Sequence, residues 1–297
     1  MKPLIMVGID IEPDAMPDWT YKAPLSFEAT HDGLLKRLVP LFLKLGIRPT
    51  FFVNNVLMEE NRVVDALLSI RDCELANHLH GDFIEPSRTW DDAAGKPGRE
   101  NQSEYPPDVE RGKLENSTAF FEKNFGRRPL SFRAGRFAVR AETFRILEEL
   151  GYLADSSVTP CLNWDPVRNF SRAPLQPYFP NTDILSSGGH GRVIELPITI
   201  RKACFPRPRF DWLRPTHTDS KRMFKLIART SSEKSPHGPP LLNFMLHNVD
   251  IMPGMTYAKN EADSQALLNS LESSLKYALE LGGEPLTASE SARRYKA

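Results

Sequence analysis

The sequence has little of what marks a disulfide-stabilised, membrane-spanning or polyanion-binding protein. Its three cysteines, Cys73, Cys161 and Cys204, lie far apart and without CxxC spacing, so neither a disulfide framework nor a cysteine zinc site is predicted. No stretch approaches the roughly 18 to 20 consecutive apolar residues that a membrane-spanning helix needs. Thirty-eight basic residues balance thirty-eight acidic ones, so no global field attracts nucleic acid or anionic lipid.

A secretion signal is also not recognisable at the start of the chain. The apolar run in MKPLIMVGID is short, leads directly into acidic residues and is not followed by a small-residue cleavage site. We therefore interpret it as a first β-strand and expect a cytoplasmic protein. Of the 297 residues, 40% are hydrophobic and 26% are charged, which is typical of a globular protein that buries a sizeable core. No linker divides the chain, so residues 1–297 are predicted to form a single domain.

Strand-like and helix-like segments alternate along the chain. Apolar runs bounded by turn residues predict strands at 4–9, 50–53, 73–78, 130–133, 152–155, 193–200 and 241–247. Helical periodicity predicts helices at 34–45, 61–69, 108–124, 140–150, 220–230 and 262–281, with Pro40 expected to kink the first. Strand followed by helix, repeated about seven times, indicates an α/β fold with a parallel sheet.

Ionisable residues stand at the ends of five of the predicted strands. They are Asp10 and Glu12, then His78, His80 and Asp82, then Arg133, Asp155 and His247. Any single one of them is more often a capping or core residue than a functional one. In a closed barrel, however, the carboxyl ends of parallel strands meet on the face that carries the active site. Five such ends together therefore predict a site.

The order of these residues resembles the polysaccharide deacetylase family, which has NodB homology and constitutes carbohydrate esterase family 4. The resemblance covers nearly the whole chain and depends on the order of VGIDIEPD, ELANHLHGD, SFRAGRF, GYLADSSVTP and LNFMLHNVDIMPG, with LGIRPTFFV as the second strand. It implies a distorted (β/α)7-type barrel with parallel strands. It also implies a metal-dependent hydrolase that removes acetyl groups from a carbohydrate.

The chemistry of amide hydrolysis requires a set of groups like this one. A divalent metal polarises the carbonyl and activates water, and a carboxylate with two further ligands suits catalytic Zn²⁺, with Co²⁺ or Ni²⁺ also possible. Glu12 and His78 are the first two predicted ligands. The family has a second histidine four residues after the first, where this chain has Asp82. Asp82 is the favoured third ligand, because positions i and i+4 share a helical face; an extended backbone would favour His80 instead.

The resemblance assigns the remaining residues to acid–base roles. Asp10 matches the catalytic base, and Arg133 is expected to hold it ionised and oriented. His247 matches the general acid that protonates the departing amine. Asp155 is the predicted partner that orients His247, with Asp165 and Asp250 as alternatives. The family's oxyanion hole uses a backbone N–H near Arg136, where this chain has RAGRF instead of the usual prolines.

The substrate is suggested by the segment CFPRPRFDWLRP, residues 204–215, in which arginines alternate with aromatic residues. One interpretation is a surface loop whose aromatic rings pack inward. The other is a sugar-stacking platform with a basic rim, suited to a glycan that carries phosphate or carboxylate groups; Trp19, Tyr21 and Trp90 could extend it. An intermediate of surface polysaccharide biosynthesis is the expected substrate. The alternatives are a deformylase or small-molecule amidohydrolase of the same fold and a catalytically silent sugar-binding protein.

Overall fold

A sheet of parallel strands that curls into a half-barrel forms the centre of the protein in the computed structural model, which describes residues 1–91, 95–181, 187–204 and 207–295. The strands that pair in parallel are β1 (Leu4–Ile11), β2 (Thr50–Asn54), β3 (Glu74–Leu79), β4 (Ser131–Ala134), β5 (Ala154–Asp155), β6 (Ile194–Glu195), β9 (Leu241–His247) and β10 (Glu284–Pro285). β7 (Ile200–Ala203) and β8 (Arg209–Trp212) form a separate antiparallel hairpin. The predicted α/β barrel-like fold is confirmed.

The sheet follows the chain order from β1 to β6, and β1 also pairs with β9 along seven residues. β10 extends the sheet beside the first residues of β1. Beyond β6 the ladder stops, but Asn243 of β9 reaches the chain that follows it. Its side-chain amide donates to Leu196 O at 2.8 Å, and its backbone N–H donates to Thr199 Oγ1 at 2.9 Å. These bonds connect the two ends of the curled sheet.

Helices cover the outside of the sheet at positions close to those predicted. They are α1 (Val39–Leu45), α2 (Asn61–Ser69), α3 (Pro107–Phe125), α4 (Ala141–Glu149), α5 (Ser220–Ser231), α6 (Glu261–Glu280) and α7 (Ala288–Ala292). A segment with wider π-type turns, Ala29–Leu38, leads directly into α1. Pro40 therefore lies at the junction between this segment and α1, where a proline has no N–H group to donate to the preceding turn. In the part of the chain that the structure describes, no helix is both long enough and apolar enough to cross a bilayer.

The predicted strand 193–200 is divided in the structure. Its first part pairs in parallel as β6, whereas its last residue, Ile200, begins the β7–β8 hairpin. Pro197 lies between the two parts, and proline has no N–H group to continue a ladder. No helix is assigned between β5 and β6 among the described residues of that stretch, 156–181 and 187–193, so the strand–helix alternation is interrupted there.

Alternation along β1 separates the hydrophobic core from the polar interior of the barrel. All eight residues of β1 are buried, and Ile5, Val7, Ile9 and Ile11 belong to one large apolar cluster with residues of the helices. Side chains of a strand alternate between its two faces, so positions 8 and 10, occupied by Gly8 and Asp10, lie on the other face of the sheet. Glu12, which directly follows the strand, continues this inner series. The first strand thereby directs two carboxylates to one side of the sheet.

Candidate active site

Charged residues from four strand ends converge on one cavity of about 350 Å³. Of the predicted site residues, Asp10, Glu12, His78, His80 and His247 line it. Arg133 lies directly behind Asp10 and is completely buried. The rest of the wall consists of Trp19, Ala134, Arg136, Phe137, Trp164, Arg168, Trp212, Arg214, His217, Met245 and Tyr257. The structure therefore brings together residues that are up to 237 positions apart, Asp10 and His247.

Glu12, His78 and His80 form a cluster with the dimensions of a metal site. One ligand atom from each residue lies within 4.8 Å of the other two, and all three residues are buried. Glu12 Oε1 is 3.2 Å from Nε2 of His78 and 3.2 Å from Nε2 of His80. One carboxylate and two imidazoles are the donor set found in some catalytic zinc sites.

The orientation of these side chains is suited to metal binding. His78 Nδ1 lies 2.9 Å from Arg133 O, and an N–H at Nδ1 that donates to this carbonyl leaves the Nε2 lone pair directed at the cluster. The Tyr21 hydroxyl donates to Glu12 Oε2 at 2.5 Å, which leaves Oε1 available. Nε2 of His80 also points at Oε1. The residues present therefore fit a divalent cation.

The third position of the cluster is held by His80, and Asp82 lies outside it. This corrects the expected preference for Asp82, which assumed one helical turn after His78. β3 remains extended to Leu79, so residues two apart share a face. Asp82 instead accepts a hydrogen bond from Gly98 N at 3.2 Å through Oδ2. Gly135 leaves room for the His80 ring, since a Cβ there would lie 2.3 Å from His80 Cδ2.

Burial and charge act in opposite directions within the cluster. Burial by itself would raise the pKa of Glu12, but the charge of His80 and hydrogen bonds from His78 and His80 hold it well below its ordinary value. Burial would lower the pKa of His80, and the Glu12 carboxylate raises it instead. A metal ion replaces the proton between such groups, because imidazole must be deprotonated to act as a ligand. Asp82 differs, because burial raises its pKa.

Asp10 is held by the most deeply buried ion pair of the site. Arg133 Nη1 donates to Asp10 Oδ1 at 2.6 Å, and Arg133 Nε donates to Ser156 O at 2.8 Å. The guanidinium also lies over the ring of Phe52, 4.1 Å from its centroid. Gly8 provides the space, because a Cβ there would be 2.6 Å from Arg133 Nη2. Asp10 is thereby fixed with Oδ2 directed toward His247.

His247, which pairs with Asp10 across the neighbouring strands β1 and β9, approaches both carboxylates. Its Nε2 atom is 3.7 Å from Asp10 Oδ2 and 4.0 Å from Glu12 Oε1. The ring makes an edge contact with Trp19, with centroids 4.7 Å apart. His247 Nε2 therefore lies close enough to the Glu12–His78–His80 cluster to reach a group bound there, which is the geometry required of a proton donor.

Asp250, and not Asp155, is the carboxylate next to His247, which corrects the predicted partner. Asp250 Oδ2 is 3.4 Å from His247 Nδ1 and accepts from the His247 backbone N–H at 3.0 Å. Burial would raise the pKa of Asp250, but the charges of Arg214 and His247 lower it. Asp250 lies in a short 3₁₀ turn that brings it back toward the end of β9.

The other two candidate carboxylates have different partners. Asp155 accepts from Ser157 Oγ at 2.8 Å and lies opposite Glu195 in the β5–β6 pair. Burial raises the pKa of both Asp155 and Glu195. Asp165 accepts from Arg168 Nε at 2.6 Å. Asp155 and Asp165 therefore bond to Ser157 and Arg168 and not to His247.

Sequence reasoning missed two residues that position the site. Arg214 Nη2 lies 2.9 Å from His247 Nδ1 and 3.1 Å from Asp250 Oδ2; the sequence predicted Arg214 only as part of the basic rim in segment 204–215, and not as a partner of His247. Asn248 joins the ends of β1 and β9, since its Oδ1 accepts from Glu12 N at 2.9 Å and its Nδ2 donates to Glu12 O at 3.0 Å. The LHN sequence, which includes the last two residues of β9, was the available signal for Asn248.

The predicted aromatic platform is only partly formed by the residues proposed for it. Trp212 and Trp19 line the cavity. Tyr21 holds Glu12 from behind, and Trp90 is buried against Tyr21 and Phe83. Phe210 is exposed, and Phe205 lies outside the described residues. Arg209 pairs with Asp211 at 3.1 Å, away from the cavity lining.

Trp164 and Arg136 add to the cavity wall from two loops. Trp164 is 48% exposed, and its ring lies 6.0 Å from that of Phe137 at an angle of 24°. Arg136 has a left-handed backbone with φ 54°. Its Nε donates to Glu100 Oε2 at 2.8 Å. Arg136 is nevertheless one of the residues that line the cavity, a point that the sequence leaves open.

No protein-family model and no curated protein sequence matches the chain. Solved structures do match over nearly its full length. A protein from Mycobacterium smegmatis assigned to the polysaccharide deacetylases has a TM-score of 0.59 at 17% identity, covering 98% of this chain and 89% of that one. The Puue allantoinase has a TM-score of 0.59 at 15% identity, covering 99% and 90%. A Pseudomonas aeruginosa PAO1 protein assigned to the polysaccharide deacetylases has a TM-score of 0.56 at 16% identity, covering 99% and 90%. The chain thus has the polysaccharide deacetylase fold.

Proposed function

We propose that the protein is a metal-dependent hydrolase that removes an N-acetyl or O-acetyl group from a carbohydrate. The observation that carries this proposal is the placement of Asp10 and His247, 3.7 Å apart, in the same cavity as the Glu12–His78–His80 cluster. The fold shared with polysaccharide deacetylases supports it. The single domain over residues 1–297 and the cytoplasmic location remain predictions.

The residues of the cluster would hold the metal ion, most simply Zn²⁺, with Co²⁺ or Ni²⁺ also compatible with two imidazoles and one carboxylate. When bound, such an ion polarises the acyl carbonyl and makes water more acidic. Tyr21 keeps Glu12 in place through its hydrogen bond of 2.5 Å to Oε2. Arg133 O orients the His78 ring from the other side.

Asp10 would accept the proton of the attacking water. Arg133 occupies Oδ1 at 2.6 Å and leaves Oδ2 directed into the cavity. A carboxylate held by a buried guanidinium stays ionised and keeps a fixed direction, which a general base requires. The guanidinium of Arg133 acts through Asp10, because it lies behind this residue and is fully buried.

His247 would deliver a proton to the leaving nitrogen. Arg214 and Asp250 both approach its Nδ1 atom, at 2.9 and 3.4 Å. They fix the plane of the ring and keep Nε2 directed at the cluster. Acid–base catalysis by a positioned side chain contributes about 10²–10⁴-fold to rate. Replacement of Asp10 and replacement of His247 should therefore each give a decrease in rate that can be measured separately.

Release of acetate tests the proposal directly. The metal-loaded protein is incubated with N-acetylated monosaccharides, sugar nucleotides and lipid-linked oligosaccharides, and acetate is quantified. Asp10→Asn and His247→Ala should each reduce kcat by about 10²–10⁴-fold, while Asp65→Asn on the outer helix α2 serves as the matched surface control. Metal-dependent acetate release from none of the acylated sugars would refute the proposal.

A small-molecule amidohydrolase is the second candidate. The structural similarity to an allantoinase and the modest volume of the cavity, about 350 Å³, favour it. Product analysis separates the two, since this candidate predicts ring opening of a cyclic amide, or formate, instead of acetate. A catalytically silent sugar-binding protein is the third alternative, and it predicts sugar binding without any metal-dependent product.

A further inference from the structure

Part of the wall of the cavity that contains the Glu12–His78–His80 cluster is formed by three arginines from separate parts of the chain. Arg136 follows β4, Arg168 belongs to the long segment between β5 and β6, and Arg214 follows β8. Among the described residues that line the cavity, the carboxylates are Asp10 and Glu12. Both of these are engaged by Arg133 or by the histidine pair. The remaining wall is therefore cationic.

Each of the three arginines is oriented by a carboxylate that lies behind it. Glu100 pairs with Arg136 at 2.8 Å, Asp165 with Arg168 at 2.6 Å, and Asp250 with Arg214 at 3.1 Å. None of these acids lines the cavity. The guanidinium groups thus lie between their partners and the open space. A guanidinium has five N–H donors, so one carboxylate partner does not exhaust it.

Donors remain on all three side chains after these pairs are formed. Within the described part of the chain, no hydrogen bond involves Arg136 Nη1 or Arg168 Nη2. Arg214 bonds to His247 and Asp250 through Nη2, and no hydrogen bond involves its Nη1 atom within the same described residues. Arginines that are held in place with spare donors recognise the oxygen atoms of carboxylates and phosphates.

The rest of the cavity suits a sugar ring. Trp164, Phe137, Trp212 and Tyr257 provide apolar faces, and the Trp164 indole is fixed by its N–H bond of 2.8 Å to Thr159 Oγ1. A volume of about 350 Å³ is near the lower end of the roughly 300–1,000 Å³ found for ligand pockets. It accommodates one ring and a substituent better than an extended polymer.

His217 is an uncharged polar part of the cavity wall. It lies between Trp212 and Tyr257, and burial together with the charge of Arg214 lowers its pKa to about 4. His217 is therefore neutral near pH 7 and contributes a donor without adding charge. The cationic character of the wall belongs to the three arginines.

We propose that the site takes a single acylated amino-sugar unit that carries an anionic group, a carboxylate or a phosphate, and that Arg136, Arg168 and Arg214 bind this group. The inference rests on the proposed hydrolase function, since it concerns the substrate of the same cavity. The anion would lie against the arginine wall while the acyl group lies at the Glu12–His78–His80 cluster.

Binding of matched charged and neutral sugars tests the proposal. The probes for calorimetry on the metal-loaded full chain are N-acetylglucosamine, its 1-phosphate and 6-phosphate esters, and an N-acetylhexosaminuronic acid. We expect at least one anionic sugar to bind about tenfold or more tightly than the neutral one, because charge-assisted bonds to arginine are strong. The phosphate and uronic acid arms distinguish the two anion types.

Substitution of Arg168 tests whether the arginine wall causes the preference for anionic over neutral sugars. Arg168→Gln should reduce the ratio of anionic to neutral affinity severalfold, and Arg168→Lys should restore part of it, because the charge is retained but the planar fork is lost. Arg192→Gln serves as the surface control, since Arg192 is 79% exposed in its side chain. An unchanged ratio in Arg168→Gln would overturn the proposal.

The outcomes separate this inference from the hydrolase function. Acetate release with equal affinity for neutral and anionic sugars would retain the function and overturn the arginine wall. Tight binding of an anionic sugar without acetate release would retain the wall and refute the function. Binding of none of the four probes would also overturn the wall, because each fits within one sugar unit.

Discussion

Arg133 is the charged side chain whose position depends most on its neighbours. It is completely buried, donates to Asp10 and to Ser156, and lies over the Phe52 ring. A buried ion pair is costly to break, since removal of one partner leaves an uncompensated charge. The space for Arg133 exists because residue 8 is glycine: a Cβ at that position would lie 2.6 Å from Arg133 Nη2.

A methyl group at position 8 is therefore predicted to displace the Arg133 guanidinium. Gly8→Ala should lower the free energy of unfolding by about 1–3 kcal/mol, as overpacking does in cores, and should reduce catalytic activity because Asp10 loses its fixed partner. Chemical denaturation and acetate release measure the two effects. Gly188→Ala is the control, since a Cβ there meets nothing within 4 Å. Equal stability and activity in Gly8→Ala and the parent protein would contradict this account of Arg133.

Substitutions of His80 and of Asp82 are predicted to affect metal affinity to different extents. His80 Nε2 is 3.2 Å from Glu12 Oε1, whereas Asp82 is bonded to the Gly98 backbone. His80→Ala should weaken metal affinity by more than about a hundredfold, since even outer partners of metal ligands account for 10–100-fold. Asp82→Asn should have a much smaller effect. Metal titration monitored by calorimetry compares the two, and a larger loss in Asp82→Asn would contradict the geometry.

At the scale of elements, the short β5–β6 pair creates a buried carboxyl pair. Asp155 and Glu195 are opposite each other in the ladder, and both are completely buried. Burial raises the pKa of each of them, and the charge of Asp155 adds to the increase for Glu195. The folded protein therefore retains a proton at this pair in a pH range where the unfolded chain has released it.

This pair predicts a specific pH dependence of stability. A group whose pKa is raised on folding stabilises the protein fully below its unfolded pKa, about 4.3 for glutamate, and this stabilisation is lost as the pH rises through the folded pKa. Each proton difference contributes a slope of about 1.4 kcal/mol per pH unit. In Glu195→Gln, the loss of stability with rising pH above about 4.3 should be smaller than in the parent protein.

The comparison requires a surface control and a fixed metal state. Urea denaturation of the metal-free protein is measured between pH 5 and 8, so that metal binding does not contribute and the Glu12–His78–His80 cluster is the same in both proteins, and Glu115→Gln on the exposed face of α3 provides the control. Parallel stability profiles for Glu195→Gln and the parent protein would show that the carboxyl pair does not retain the additional proton.

Local sequence patterns predicted the strongly periodic helices and strands. They failed where tertiary contacts determine the bounds and pairing of an element. α2 and β9 have their predicted bounds, 61–69 and 241–247, because a clear apolar stripe and a continuous buried run identify them. The strand at 193–200 was wrong as a single element, since Pro197 ends the ladder and the following residues pair with β8. That pairing depends on partners 6 to 12 residues further along the chain, which periodicity does not reveal.

At the scale of the whole molecule, the site depends on contacts between the two ends of the chain. β1 and β9 pair in register from Leu4 with Leu241 to Asp10 with His247, and Asn248 is bonded to the Glu12 backbone in both directions. The sequence predicts that these strand ends meet, because parallel strands in a barrel direct their carboxyl ends to one face.

What the sequence does not reveal is the choice between nearby candidates. Whether Asp82 or His80 is the third predicted metal ligand depends on whether the chain after β3 is extended or helical. Whether Asp155 or Asp250 is the carboxylate next to His247 depends on the direction of a short turn after β9. Arg214 reaches His247 only because the β7–β8 hairpin folds back beside β9, where Met245 N donates to Leu213 O. These are properties of the folded chain, and they decide the ligands and partners of the proposed site.

The central claim is that Glu12, His78 and His80 bind one divalent metal ion beside Asp10 and His247. Anomalous diffraction at the zinc edge from crystals of the zinc-loaded protein tests it most directly. The account predicts a single strong anomalous peak about 2.0–2.2 Å from Glu12 Oε1 and from Nε2 of both histidines, as expected for zinc bound to oxygen and nitrogen ligands. A peak coordinated by Asp82 in place of His80, or no peak at this cluster in a zinc-loaded crystal, would contradict it.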